Sequence, residues 1–377
     1  MRIPLSSPDV TEQEIEAVAA VLRTPSLSLG PKVEEFEQAI SRYLGAPNVV
    51  AVSSGTSGLH LCIRALGISE GDEVIVPSFT FIAVANAVRY ERATPVFVDI
   101  DSETLNLDPG LLEDAITPRT RAIIVVHTFG VPADLRRIIA VAKRHNLFVI
   151  EDACEAIGAE YDGRKVGVLG DVGVFGFYPN KQITTGEGGA IVTNIRELAI
   201  KIKKLRNQGR DDSEEWIQHS ELGYNYRIPD INCTLGIEQL KRIDAILDRR
   251  AAIAREYDRL LQGQADLILP LLNLPQRKIS WFVYVIRLNQ RIHDIGRDWI
   301  VSEMKTRGIA LGRYFAPIHL QPIYKYSQHM TLSVTESQAS RAIALPFFNR
   351  IQQNEIEEVC RTLVELVNGG LRKKSEN

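Results

Sequence analysis

Between residues 49 and 193 the chain alternates short apolar runs with amphipathic stretches. The runs fall at 49–52, 73–76, 95–98, 122–126, 147–150, 172–177 and 190–193, and most are rich in Val, Ile and Phe. Between them, 56–66, 81–89 and 135–144 carry apolar residues at helical spacing, and Gly67 closes the first. Nearly continuous apolar strands are buried on both faces, and helical crossovers between them make the sheet mostly parallel. This predicts an α/β domain whose ligands bind at the carboxyl ends of the strands.

The flanks differ in texture. Thr11 with Glu14 three residues later forms a capping box and predicts a helix through Leu22. Pro31 suits a first helical turn and predicts a second helix that stops before Gly45. Residues 231–261 are charged and amphipathic, as one long helix or two joined ones. Beyond them come Pro-bearing loops and an alternating stretch, Trp281-Phe282-Val283-Tyr284-Val285-Ile286. A chain of 377 residues exceeds what one core usually holds. The reading is a large domain over 1–249 and a smaller C-terminal α+β domain over 250–377, with a frayed tail at 372–377.

Several function classes fall away. A formal net charge of -3 offers no electrostatic grip on nucleic acid or an anionic membrane. No apolar run reaches the length of a membrane span, and the N-terminus lacks the apolar core of a signal peptide. The four cysteines are scattered without C-x-x-C pairs, which predicts a reducing cytoplasm. The histidines show no metal-ligand spacing.

Three segments carry chemistry. Val52-Ser53-Ser54-Gly55-Thr56-Ser57-Gly58 ends a strand in small residues and opens a helix. First-turn N–H groups there suit a phosphate, although an ordinary capped turn has the same look. Phe148-Val149-Ile150-Glu151-Asp152-Ala153-Cys154-Glu155 runs an apolar strand into acids at a strand end. Asp152 could hold a protonated ring nitrogen, or simply cap a helix. Gly176-Phe177-Tyr178-Pro179-Asn180-Lys181, with the Gly-rich return Gly186-Glu187-Gly188-Gly189, places a lysine between two apolar strands. A desolvated lysine amine attacks aldehydes, whereas most loop lysines are merely solvated. The basic stretch at 201–210 would meet a diphosphate or form a solvated helix face, and the second reading is preferred.

Taken with Gly30-Pro31-Lys32-Val33-Glu34, Pro77-Ser78-Phe79-Thr80-Phe81, Leu222-Gly223-Tyr224-Asn225-Tyr226-Arg227, Tyr314-Phe315-Ala316-Pro317-Ile318-His319 and Ala344-Leu345-Pro346-Phe347-Phe348, these segments resemble the DegT/DnrJ/EryC1/StrS family of sugar aminotransferases over nearly the whole chain. The resemblance implies an aspartate-aminotransferase-like fold of type I and the cofactor pyridoxal 5'-phosphate (PLP). It implies that Lys181 is the Schiff-base lysine and proton shuttle, and that Asp152 pairs with the pyridine nitrogen. It further implies that Phe81 stacks on the ring and that Gly55, Thr56 and Ser57 hold the phosphate. Asn225 would reach the phosphate of the neighbouring subunit, so the active unit is a homodimer with shared sites. Tyr314 and His319 would line the sugar site. The expected substrates are a nucleotide-linked keto sugar and L-glutamate, which leaves as 2-oxoglutarate.

Two positions depart from the family pattern. Many members carry Ser where this chain has Gly176, and Gln or His where it has Glu155. The acid resembles the subgroup of perosamine synthases and points to a 4-keto-6-deoxy hexose. Amination of a 3-keto sugar and a non-catalytic nucleotide-sugar regulator are the alternatives. A dehydratase of this scaffold would carry His in place of Lys181. A desulfurase would need a mobile reactive cysteine, and Cys154 is the cysteine nearest the proposed site.

Overall fold

The computed structural model describes residues 2–211, 218–289, 296–325 and 331–375. Helices α1 (Glu12–Leu22) and α2 (Pro31–Leu44) open the chain. The capping box of α1 is formed, with the Thr11 N–H donating to Glu14 Oε2 at 2.8 Å. Helix α2 begins at Pro31 and stops at Gly45, whose left-handed φ of 69° suits a residue without a β-carbon. Its start is held from far away: the Asp230 carboxylate accepts the N–H of Gly30 at 2.8 Å and of Lys32 at 3.0 Å.

The alternating region folds as β1 (Asn48–Val52), α3 (Gly55–Ala65), β2 (Glu73–Pro77), α4 (Ala83–Tyr90), β3 (Thr94–Val98), α5 (Leu112–Ala115), β4 (Thr120–Val126), α6 (Leu135–Arg144) and β5 (Phe148–Asp152). Two short strands follow, β6 (Glu160–Tyr161) and β7 (Arg164–Lys165), then β8 (Val172–Gly176), β9 (Gly189–Thr193) and α7 (Arg196–Arg206). Seven of these strands form one sheet in the order β1-β9-β8-β5-β4-β2-β3. All neighbours are parallel except those of β9, which runs against both β1 and β8. The sheet is buried on both faces. Val49 and Ala51 join a core with α2 and α6, while Val50 and Val52 join one with α3, α4 and α7. Alternation with period two sends one strand into two cores. Helix α4 starts at Ala83 rather than at the expected residue 81, which leaves Phe81 in the loop before it.

The amphipathic stretch after Pro229 is two helices, α8 (Asp230–Lys241) and α9 (Ile243–Leu261). They part at Arg242, whose guanidinium donates to Glu14 Oε1 and to Asp9 O, both at 2.8 Å. Residues 249 and 250, where the sequence reading divides the chain, lie inside α9. Its Ile243 and Ile246 pack in the large-sheet core, and its Ile253, Ala254, Tyr257 and Leu261 pack in a second core. The second core surrounds a small sheet of β10 (Leu267–Ile268), β12 (Tyr284–Leu288) and β13 (Ala342–Leu345). Strand β11 (Arg277–Lys278) instead pairs with β6. Helices α10 (Arg297–Thr306), α11 (Ser333–Arg341) and α12 (Gln353–Ser375) complete the fold. The alternating stretch at 281–286 leads into β12, every residue of which is buried. The backbone is helical through Ser375, where the sequence suggested fraying, and Glu376 and Asn377 lie outside the described residues. Among the described residues no helix is long and apolar enough to cross a membrane.

Candidate active site

A cavity of about 500 Å³ opens where β4, β5 and β8 end and α3 begins. That is the expected crevice of an open α/β sheet, and the size suits a cofactor site. Gly55, Thr56, Phe81, Asp152, Glu155, Gly176, Lys181 and Tyr314 all line it. Ser57, Asn225 and His319 do not line it.

Strand β5 delivers two adjacent acids to different tasks, because successive side chains point to opposite faces. Glu151 is fully buried and accepts from His127 Nε2 at 3.0 Å and from the N–H groups of Gly167, Leu169 and Gly170 at 2.7, 2.7 and 2.6 Å. Burial pulls its pKa upward, yet His127 and these amides outweigh burial and hold it below the usual carboxylate range. Glu151 therefore ties down the loop before β8. Asp152 faces the cavity instead, with one oxygen accepting the Cys154 N–H at 3.1 Å.

Lys181 sits at the crown of the loop joining β8 to β9, and its N–H donates to Tyr178 O at 2.9 Å. Its Nζ lies 3.3 Å from Glu155 Oε1 and 4.0 Å from the centre of the Phe282 ring. The other oxygen of Glu155 accepts the Phe129 N–H at 2.9 Å. Burial pushes the Glu155 carboxyl above its usual range, and the charge of Lys181 pulls the other way. Burial also pushes the Cys154 thiol well above its ordinary value, which disfavours a thiolate there.

The opposite end of the cavity is the start of α3. Ser54 caps the helix, accepting the Ser57 N–H at 3.0 Å, while Ser57 Oγ accepts the Ser54 N–H at 2.9 Å. The Ser57 hydroxyl also donates to Ser54 O at 2.8 Å, so it closes the capping box rather than facing the cavity. Gly55 and Thr56 lie between these two serines and present first-turn N–H groups that have no intrahelical acceptor. A β-carbon on Gly55 would stand 2.7 Å from Cys154 Sγ, and one on Gly176 would stand 3.3 Å from both Cβ and Sγ of Cys154. A side chain at position 176 would therefore press on Cys154.

We expect Gly176→Ser alone to crowd Cys154 and destabilise the protein by about 1–3 kcal/mol. Adding Cys154→Ala should restore the melting temperature. The double variant should bind PLP roughly tenfold more tightly, because a hydroxyl then faces the phosphate. Thermal melts and PLP titrations read both effects.

Local motifs did not reveal Phe282 or Phe315 as cavity residues. Both come from the C-terminal part of the chain, and only the tertiary fold brings them in. The basic stretch is largely committed to structure. Lys201 donates to Ala65 O at 3.0 Å, Arg206 bonds Glu37 Oε1 at 2.6 Å, and Lys204 pairs with Asp211. Asn225 is exposed, on the far side of a strip whose Tyr224 and Tyr226 rings turn inward onto His60.

The residues present fit PLP. An amine and a carboxylate share a cavity with a helix start suited to a phosphate. Among the described residues, the buried Oδ1 of Asn180, beside Lys181, has no hydrogen-bond partner. A bound PLP supplies an electron sink, Lys181 would hold its aldehyde carbon, Asp152 its ring nitrogen, and Gly55 and Thr56 its phosphate.

Comparison with known proteins agrees with this geometry. The model of the DegT/DnrJ/EryC1/StrS aminotransferase family matches residues 8–364. The chain is 39% identical to the GDP-perosamine synthase of Caulobacter vibrioides over 97% of its own length and 98% of that protein's. Among solved structures, a Streptococcus pneumoniae protein described as a sugar aminotransferase, in its PLP form, superposes with a TM-score of 0.93 at 29% identity, covering 98% of this chain and 100% of that one. DesI, solved in the presence of its TDP-sugar product, superposes with a TM-score of 0.92 at 30% identity, covering 100% of this chain and 96% of that one. This chain belongs to the DegT/DnrJ/EryC1/StrS aminotransferase family, a family of PLP-dependent enzymes.

Proposed function

We propose that this aminotransferase converts a nucleotide-linked 4-keto-6-deoxy hexose to the corresponding amino sugar, with L-glutamate as the amino donor. The observation that carries the reading is the convergence of Lys181, Asp152 and the start of α3 on one cavity. Lys181 would hold the cofactor, and its free amine would serve as the base that takes the proton from the donor's α-carbon. Asp152 keeps the ring nitrogen protonated, which makes that proton easier to remove. Glutamate would leave its amino group on the cofactor and depart as 2-oxoglutarate before the keto sugar enters and takes that group, so the kinetics would be ping-pong.

Glu155 supports the 4-keto assignment. The perosamine synthase similarity points the same way. With its pKa raised by burial, the carboxyl can carry a proton and donate it to an anionic oxygen rather than repel one. Phe81, at the cavity rim and 62% exposed, offers a ring face to the cofactor. Tyr314 lines the same cavity and faces the sugar. Asn225 points away from its own chain's cavity, which suits a homodimer in which it completes the partner's site. Domains over 1–249 and 250–377 and a cytoplasmic location complete the proposal.

The test is a substrate panel. The protein is loaded with PLP, charged with L-glutamate, then offered UDP-, dTDP- and GDP-linked keto sugars, with products weighed by mass spectrometry. A 4-keto-6-deoxy sugar that gains an amine while others stay inert bears the reading out. Preferred amination of a 3-keto sugar overturns the regiochemistry, and failure to release 2-oxoglutarate overturns the donor.

A further inference from the structure

His319 is buried and lies outside the cavity, yet it sits at a junction between the two halves of the molecule. The segment 313–317 spans that gap. At one end Gly312 pairs with Ala344 of β13, each N–H donating to the other's carbonyl at 2.9 Å. At the other end Ile318 N–H donates to Ser78 O at 3.0 Å, just past the end of β2. Tyr314 and Phe315 lie in the span and line the cavity. Phe315 stacks on Phe129 at 5.4 Å and meets Phe79 edge-on at 5.9 Å.

The polar contacts at Ser78 run in one direction. The His319 N–H donates to Ser78 Oγ at 3.2 Å. With one lone pair accepting that N–H, the serine hydroxyl directs its own hydrogen to His319 Nδ1, 2.7 Å away. Nε2 is then the protonated ring nitrogen and donates to Glu336 Oε1 at 3.2 Å. Ser78 has no exposed surface, so breaking this arrangement would strand a buried hydroxyl. The same Ser78 leads through Phe79 to Thr80 and Phe81, which form another wall of the cavity. One hydroxyl therefore joins two walls whose residues are 241 positions apart in the chain.

We propose that His319 is a positioning residue. Through Ser78 it locks the Tyr314–Phe315 segment against the Phe81 loop and so sets the shape of the substrate mouth. The kinetic consequence rests on the proposed reaction, whereas the lock itself does not. Of the ring contacts to Ser78 and to Glu336, that to Ser78 is the buried one. Glu336 is about half exposed, and an exposed partner contributes little.

The ring nitrogens allow the lock to be tested by mimicry. His319→Asn places an amide near the position of Nδ1 and can keep Ser78. His319→Gln reaches toward the position of Nε2 and leaves the Ser78 hydroxyl hydrogen without its acceptor. Hydrogen exchange of residues 312–320 is measured in the PLP-loaded protein, together with the melting temperature and with kcat and KM for the keto sugar. In His319→Gln, exchange should speed up roughly tenfold in that segment alone, and kcat/KM should fall by about the same factor. His319→Asn should retain most of both properties. Ser78→Ala serves as a second route to the same opening if His319→Gln folds poorly, and it should reproduce the faster exchange. Unchanged exchange in both His319→Gln and Ser78→Ala overturns the lock. Equal kinetic loss in the Asn and Gln variants, with exchange unmoved, assigns His319 to direct substrate contact instead. If no sugar turns over even in the wild type, the proposed reaction fails while the exchange measurement still decides the lock.

Discussion

Lys181→Ala should lose transamination by a factor above roughly 10⁴, with the fold intact. Removing a positioned proton carrier alone typically lowers a rate by about 10²–10⁴. Lys181 is also the amine that would anchor the cofactor, and losing that covalent route adds to the deficit. The fold should survive because the side chain bonds a carboxyl that burial already biases toward its neutral form. Without the ammonium, Glu155 takes up a proton more readily, so no bare charge is left buried. Phe282 loses its cation contact, worth about 0.5–2 kcal/mol. Release of 2-oxoglutarate in a single turnover, beside a thermal melt, measures both halves of the expectation. Turnover persisting in the alanine variant would remove Lys181 from the mechanism.

Asp152→Asn should slow proton removal from glutamate by about 10²–10³ while changing sugar affinity little. The amide keeps the shape of the side chain and an oxygen for the Cys154 N–H, so packing is preserved. What disappears is the negative charge that keeps a ring nitrogen protonated. A larger isotope effect with α-deuterated glutamate would show the proton step becoming more rate-limiting. Equal loss of proton removal and of sugar binding would point to a structural part for Asp152.

Much of the fold could be read locally. The capping box of α1, the Pro31–Gly45 limits of α2 and the apolar strands all rest on rules that span a few residues. The site was legible for the same reason. Asp152, Lys181, Gly55 and Thr56 all lie at strand ends or a helix start, and an open α/β sheet gathers such ends on one edge. What stayed hidden depends on partners far along the chain. Asp230 caps a helix 200 residues away, and Phe282 approaches Lys181 from the second lobe. Ser57 shows a subtler limit. Its position at the start of α3 was readable, but not that its hydroxyl would be spent on Ser54. Cys154 and Gly176 illustrate a third. Gly176 was legible as a departure, but its closeness to Cys154 appears only when the two are packed together.

The placement of β9 bears on how the chain is made. Among the described residues strand β1 has no neighbour in the sheet except β9, and the paired residues Asn48 and Thr193 are 145 positions apart. On a ribosome adding about 5–20 residues per second, the apolar β1 waits on the order of ten seconds for its mate. During that interval its backbone is an open template for pairing with other chains. Substitutions that weaken β9 should therefore reduce the yield of native protein in the cell more than they lower the melting temperature of the molecules that do mature.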